Sequence, residues 1–245
     1  MRYKIIIEYD GSPFSGWQRQ ADNPSIQEVL ENALKICARQ EVTVFGSGRT
    51  DAGVHAVGQV AHFDLNEAMP PEKLCESLNA LVRPHPISIK EVTVVPDTFH
   101  ARFDARQRTY VYKIQNTPYP PALLKGRVWW LTCPLDVESM NAAAALLIGK
   151  HDLSTFRDSQ CQSNSPVKTI DEIKLYRQGE LVLMEIKARS FLHHQVRNII
   201  GSLVNVGMRK WSVEDFKTAF AACDRTKGGQ TAPAEGLYFI AVSYG

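Results

Sequence analysis

The residues best suited to chemistry lie in one glycine-rich stretch, Gly46-Ser47-Gly48-Arg49-Thr50-Asp51-Ala52-Gly53-Val54-His55. Its glycines allow a tight path and a close approach by a ligand. A dinucleotide-binding fingerprint would need a third glycine where Asp51 stands. A phosphate loop would need Gly-Lys-Ser/Thr at its end, and both motifs require a following helix whose N-terminus faces phosphate. Here the next residues alternate like a strand, and a central carboxylate repels phosphate. The stretch is therefore expected to join two strands and to display Arg49 and Asp51. A carboxylate displayed in this way can act as nucleophile or as base. A hairpin loop with a weakly stabilising Arg/Asp surface pair fits the same residues. A glycosidic hydrolase would call for a second carboxylate as general acid, which this loop does not supply.

Cations concentrate elsewhere. From Ile186 to Val213 the chain has Lys187, Arg189, Arg197, Arg209 and Lys210 and no acid. From Thr98 to Lys113 it has Arg102, Arg106, Arg108 and Lys113 against Asp104 alone, with His100 as a further donor. Such stretches in a nearly neutral protein suggest a cleft for phosphates. Solvated charge runs would look the same. His193 and His194 fall in a predicted helix, where adjacent side chains point apart. With no third ligand in sight they make no metal site.

Placing these groups requires a scaffold. Tyr3 to Tyr9 reads as a buried strand, followed by a loop from Asp10 to Pro24. Ser25 with Glu28 fits a capping box, and Ile26, Val29, Leu30, Ala33, Leu34 and Cys37 share one helical face. Val42–Phe45 and Gly58–Leu65 read as strands flanking the loop. A helix opened by Pro70 and Pro71 runs to about Val82, and Ile87–Val95 is a strand. The order β-α-β, β-α-β is that of a split βαβ fold with an antiparallel sheet. The rest is less regular. Strands are predicted at Gln107–Gln115, Ile170–Tyr176, Leu181–Ala188 and Leu237–Val242. Helices are predicted at Val137–Ile148 after an Asp136 cap, Phe191–Met208 and Val213–Ala222. Ser154–Lys168 reads as a polar loop. In the Phe191–Met208 helix, Val196, Ile199, Ile200 and Leu203 form the apolar stripe and Arg197 sits beside it. The expected division is an N-terminal half, 1–104, and a C-terminal half, 105–245.

The 245 residues, 44% hydrophobic and 22% charged with net charge +2, suit a soluble α+β protein with a sizeable core. Five scattered cysteines, none in a CxxC pair, argue against a disulfide framework and a zinc site, and fit a reducing cytoplasmic setting. The N-terminus is neither a signal peptide nor a membrane span.

Gly48-Arg49-Thr50-Asp51-Ala52-Gly53-Val54-His55-Ala56 resembles the active-site motif of the tRNA pseudouridine synthase A family. Further similarity runs through Tyr9-Asp10-Gly11 with Phe14, Gly16, Trp17 and Gln18. It continues in Phe103, Ala105, Arg108 and Tyr110-Val111-Tyr112, in Phe191 to Asn198, and in Ala232 to Leu237. Leu153 and Lys168 depart from the family's usual phenylalanine and arginine, away from the catalytic motif. The resemblance implies two ferredoxin-like halves forming a pseudouridine synthase fold, the first carrying the catalytic loop and the second a basic RNA-binding cleft. It implies isomerisation of uridine at positions 38, 39 and 40 of the tRNA anticodon stem-loop, by a homodimer, without cofactor or metal. Asp51 would be the nucleophile and Arg197 its counter-ion. Arg49 would help extrude the base, Tyr110 would stack on it, and Leu237 would form an apolar side of the pocket. A non-catalytic RNA-binding module remains the other reading of such a sheet.

Overall fold

The computed structural model describes residues 1–20 and 23–245. Residues 21 and 22, within the predicted Asp10–Pro24 loop, lie outside the described residues. The chain divides into two compact units, Met1–Arg106 with Tyr238–Gly245, and Gln107–Leu237.

The first unit is built from β1 (Arg2–Tyr9), α1 (Ile26–Ala38), β2 (Phe45–Gly46), β3 (His55–Asp64), α2 (Pro71–Leu81) and β4 (Ile87–Val95). β1 pairs antiparallel with β3 on one side and β4 on the other, and β2 pairs with β3. That is the split βαβ order read from the sequence. The start of β10 (Leu237–Tyr244) joins β3 in parallel, with Tyr238 opposite His55. Alternate residues of β1, Tyr3, Ile5 and Ile7, are fully buried, as period-two patterning demands. An apolar stripe of α1 that includes Ile26, Leu30 and Leu34 is also fully buried. Each such side chain contributes about 1.5–3 kcal/mol by leaving water. Ser25 caps α1 by accepting from the Glu28 amide at 3.3 Å. This is the serine half of the predicted capping box. The complete reciprocal box forms in α5 (Val213–Ala221), between Ser212 and Asp215.

The predicted strand at Val42–Phe45 shrinks to Phe45–Gly46. Val42 and Val44 are buried, but the Val44 amide donates to Glu31 Oε1 at 3.0 Å rather than to a neighbouring strand. β3 in turn starts at His55, earlier than predicted, which confines the glycine-rich loop to residues 47–54.

In the second unit β5 (Ala105–Asn116), β9 (Leu181–Ala188), β8 (Val167–Gln178) and β7 (Gly149–Asp152) lie side by side, each pair antiparallel. β9 sits between β5 and β8, again a split arrangement. β6 (Trp129–Leu131) pairs in parallel with β5. α3 (Val137–Ala145) is tied to β8 by Asn141, which donates to Leu175 O at 2.6 Å and accepts from Leu175 N at 2.7 Å.

Two helix boundaries differ from expectation. α3 stops at Ala145 because the next amides, Leu146 to Ile148, bond three residues back in a tightened turn. α4 (Gln195–Gly207) starts four residues later than predicted. His194 takes a left-handed conformation at φ 59°, and Gln195 Oε1 accepts from Leu192 N at 2.8 Å, so a side chain closes the preceding turn. Among the described residues no helix is long and apolar enough to cross a membrane.

Candidate active site

The loop carrying Asp51 is fixed from three directions within the first unit. From β1, the Tyr9 hydroxyl lies 2.8 Å from Thr50 Oγ1, both groups buried. From the 10–20 segment, Trp17 N donates to Thr50 O at 3.0 Å. From β3, Gln59, with no exposed surface, accepts the Ser47 hydroxyl at 2.6 Å and donates to Gly48 O at 2.9 Å. A turn closes the loop, Val54 N donating to Asp51 O at 3.1 Å. Gly16 makes the approach possible. Its φ is +107°, and a Cβ there would lie 2.6 Å from Thr50 O.

This network leaves Thr50 buried, Asp51 partly exposed and Arg49 exposed. The two charged side chains of the motif are thus presented by a loop whose other polar groups face inward. At its end, His55 is buried and stacks on Tyr238 with centroids 4.7 Å apart. His55 Nδ1 lies 3.1 Å from both the Gly11 amide and Asp10 Oδ1. A neutral Nδ1 accepts from the amide, and a protonated one pairs with the carboxylate. Burial pushes the Tyr9 phenol up to about 12, against the opposing effect of its hydrogen bonds to Thr50 and Gln59. It stays neutral at any working pH.

The remaining predicted residues belong to the second unit. Tyr110 and Tyr112 share the buried face of β5. Tyr110 is 8% exposed and meets Phe191 edge-on at 5.2 Å. Tyr112 is fully buried and donates to Pro233 O at 2.7 Å. Burial holds its phenol well above the ordinary range, with Arg197 working the other way. Tyr112 is thus the structural tyrosine of the pair. Arg197, in the first turn of α4, donates from Nε to Ala232 O at 2.8 Å, while its own carbonyl accepts from Ala232 N. This pins the guanidinium stem to the segment that leads into Leu237. Leu237 opens β10 and is 6% exposed.

The histidine pair departs from expectation. His193 and His194 precede α4 rather than lying in it, and their rings stack at 3.9 Å instead of pointing apart. Both face Asp158, at 3.5 Å and 2.8 Å. Burial alone would raise the Asp158 carboxyl. The Gln160 amide and the two histidines outweigh it and hold it below the usual range.

The basic stretches are also partly neutralised. Lys187 pairs with Glu172 at 2.8 Å and Glu185 at 3.1 Å. Arg209 pairs with Asp136 at 3.3 Å. Arg108 is buried and donates to Arg189 O. Burial lowers the Lys113 ammonium. Arg102, Arg106, Arg189 and Lys210 stay exposed. Sequence reading missed the ring cluster around β2. There Phe45 stacks on His62 at 5.1 Å, His100 packs on Phe103 at 4.3 Å, and the Arg102 guanidinium lies 5.7 Å over the Phe103 ring. Phe45 and Phe103 are both exposed, and the cluster draws on three separate segments, at Phe45, His62 and Phe99 to Phe103, so no local spacing signals it.

A family model described as tRNA pseudouridine synthase matches residues 5–104 and 143–245. Over 243 residues the chain is 51% identical to tRNA pseudouridine synthase A of Maricaulis maris, spanning 99% of this chain and 98% of that protein. It is 51% identical to the protein of that name from Nitrobacter winogradskyi, spanning 99% and 95%. To that of Afipia carboxidovorans it is 49% identical, spanning 99% of both.

Proposed function

Because the chain belongs to the tRNA pseudouridine synthase family, we propose that it isomerises uridines 38, 39 and 40 of the tRNA anticodon stem-loop, with Asp51 as the attacking carboxylate. The enzyme is an isomerase acting on tRNA. The observation that carries the residue assignment is the Asp51 loop itself. Hydrogen bonds to Ser47, Gly48 and Thr50 hold the stretch that leads into Asp51, while Asp51 stays partly exposed and Arg49 exposed.

The reaction breaks the N1–C1′ bond of uridine and forms a C5–C1′ bond. N1 regains a proton and C5 loses one to solvent, so no oxidant or group donor is consumed. The target base is flipped out of its stack, at a cost of a few kcal/mol. Arg49 fills the space it leaves, because a planar guanidinium stacks on bases. Tyr110 supplies the aromatic wall and Leu237 an apolar side. Arg197 serves as counter-ion to the attacking carboxylate. Pinning by Ala232 favours this role, as an ordered guanidinium loses less entropy on pairing. The exposed cations Arg102, Arg106, Arg189 and Lys210 hold phosphates. The working form is a cytoplasmic homodimer.

The test uses tRNA tritiated at uridine C5, from which isomerisation releases tritium to water. Asp51→Asn abolishes release while tRNA affinity stays within about threefold, because the change is isosteric and removes only a charge. Release equal to wild type would sink the nucleophile assignment. Mapping the modified positions checks 38, 39 and 40.

A further inference from the structure

We infer that Tyr9 is a positioning residue for Asp51, acting through the hydroxyl of Thr50. The inference rests on the reading of Asp51 as the reacting carboxylate. Tyr9 ends β1 and is 3% exposed, so its ring is fixed by the core, packing against Trp17 at 6.4 Å. Its hydroxyl reaches across to Thr50 Oγ1 at 2.8 Å, and Gln59 also faces it. Thr50 is the residue before Asp51, and its carbonyl is separately held by Trp17 N. Side chain and carbonyl are therefore gripped separately, by β1 and by the 10–20 segment of the same unit. That removes rotation about the Thr50 backbone, which would otherwise swing the Asp51 carboxylate.

Gln59 closes the other side. Its Oε1 and Nε2 are taken up by Ser47 and Gly48, at the start of the loop. Ser47, Gln59 and Tyr9 are all buried, so water cannot substitute for a lost partner. A buried donor or acceptor left unmade is costly, and the loop shifts to relieve it. A reacting group displaced by even about 1 Å loses much of its rate advantage while substrate binding elsewhere is untouched. The expected signature is a loss in kcat with KM for tRNA unchanged. Tyr9 touches no substrate atom in this role and transfers no proton. Its phenol, raised to about 12 by burial, stays protonated throughout.

The experiment is a double-mutant cycle in the full-length protein, read by tritium release at saturating and sub-saturating tRNA, with thermal unfolding measured alongside. Tyr9→Phe and Thr50→Val each remove one hydroxyl at near-constant shape. Each lowers kcat roughly tenfold and leaves KM within about twofold. The double variant is no worse than the poorer single variant, because the shared bond is already gone. Thr50→Ser, which keeps the hydroxyl, restores kcat to within about twofold of wild type. The pH profile of kcat keeps its shape in Tyr9→Phe. Additive losses, a rise in KM parallel to the fall in kcat, or failure of Thr50→Ser to rescue would each overturn the inference. So would disappearance of a limb of the pH profile in Tyr9→Phe, which would make Tyr9 a proton-transfer group. Asp51→Asn in the same series separates the two levels. If it stays active, the reading of Asp51 fails. If it is inactive while the cycle shows no coupling, only the role of Tyr9 fails.

Discussion

In the first unit, the Asp51 loop is gripped partly through its own hydroxyls, those of Ser47 and Thr50; in the second, Arg197 and Tyr112 grip a segment through its backbone carbonyls. Tyr9 and Gln59 grip the loop that presents Asp51. By contrast, Arg197 and Tyr112 donate to the carbonyls of Ala232 and Pro233. The same segment is anchored further by Gly229 N on Ser202 Oγ at 2.8 Å and by Thr231 Oγ1 on Asn198 Oδ1 at 2.7 Å. Side-chain clamps demand particular residue types and so leave a motif. Carbonyl clamps demand only that the backbone come close, and any residue has a carbonyl. Their trace in sequence is instead a need for space.

The largest expected effect tests that need. Gly201 lies inside α4, where alanine ordinarily favours a helix by about 1 kcal/mol. Here a Cβ would lie 1.8 Å from Gln230 O, an immovable backbone atom. The collision outweighs the propensity. Gly201→Ala should lower the unfolding temperature by about 5–10 °C, taking 2–3 kcal/mol of overpacking at roughly 2–4 °C per kcal/mol. Gly16→Ala, on the Asp51 loop side, should cost less stability and more turnover, because its conflict with Thr50 O is relieved by moving the loop. Equal losses of stability in the two variants would dissolve the contrast.

The histidines repeat the contrast at smaller scale. His62 in the first unit is buried and accepts from Ala101 N at 3.2 Å through Nδ1, which must be unprotonated to do so. Burial, with His100 and Arg2 nearby, lowers it to about 4. The folded value lies below the unfolded one of about 6.5. Above pH 6.5 both states are neutral and stability is full. As pH falls towards 4, the unfolded chain takes up the proton first and stability is lost. Unfolding temperature should therefore drop by about 2–6 °C between pH 7.5 and pH 5, and His62→Gln should flatten that slope. His193 and His194 instead face the Asp158 carboxylate. An unchanged slope in His62→Gln would assign the acid response to the Asp158 cluster instead.

How much of this was visible in the sequence follows the same division. The split βαβ of the first unit, the Ser25 cap and the run Ile87–Val95 were readable because period and capping are local properties. The Asp51 loop was readable because its glycines and charges are contiguous. β6 and β7 were not, at three and four residues, since neither is long enough to show a period. The start of α4 was missed because the apolar pattern runs on through Phe191 and Leu192 while His194 breaks the helix by conformation alone. Tyr9 stood in the sequence only as the first residue of Tyr9-Asp10-Gly11, with no role attached. Its link to Thr50 emerges when the fold brings the two hydroxyls together.

Charge shows the same limit most plainly, and gives the smallest expected effect. Between Ile186 and Val213 the sequence has cations and no acid, yet Lys187 sits opposite Glu172 across the β8–β9 pair and next to Glu185. Counting along the chain cannot see a partner that arrives from the neighbouring strand. Lys187→Gln should change tRNA affinity less than about twofold and leave its salt dependence alone, because a neutralised ammonium releases no counterions from phosphate. Arg189 and Lys210 are exposed and have no ion-pair partner among the described residues. Arg189→Gln should weaken binding and reduce the slope of log affinity against log salt by about 1. The measurement is a salt titration of tRNA binding for both variants. A loss at Lys187 equal to that at Arg189 would mean that RNA draws the lysine away from its two glutamates, and that the sequence count was the better guide to the surface.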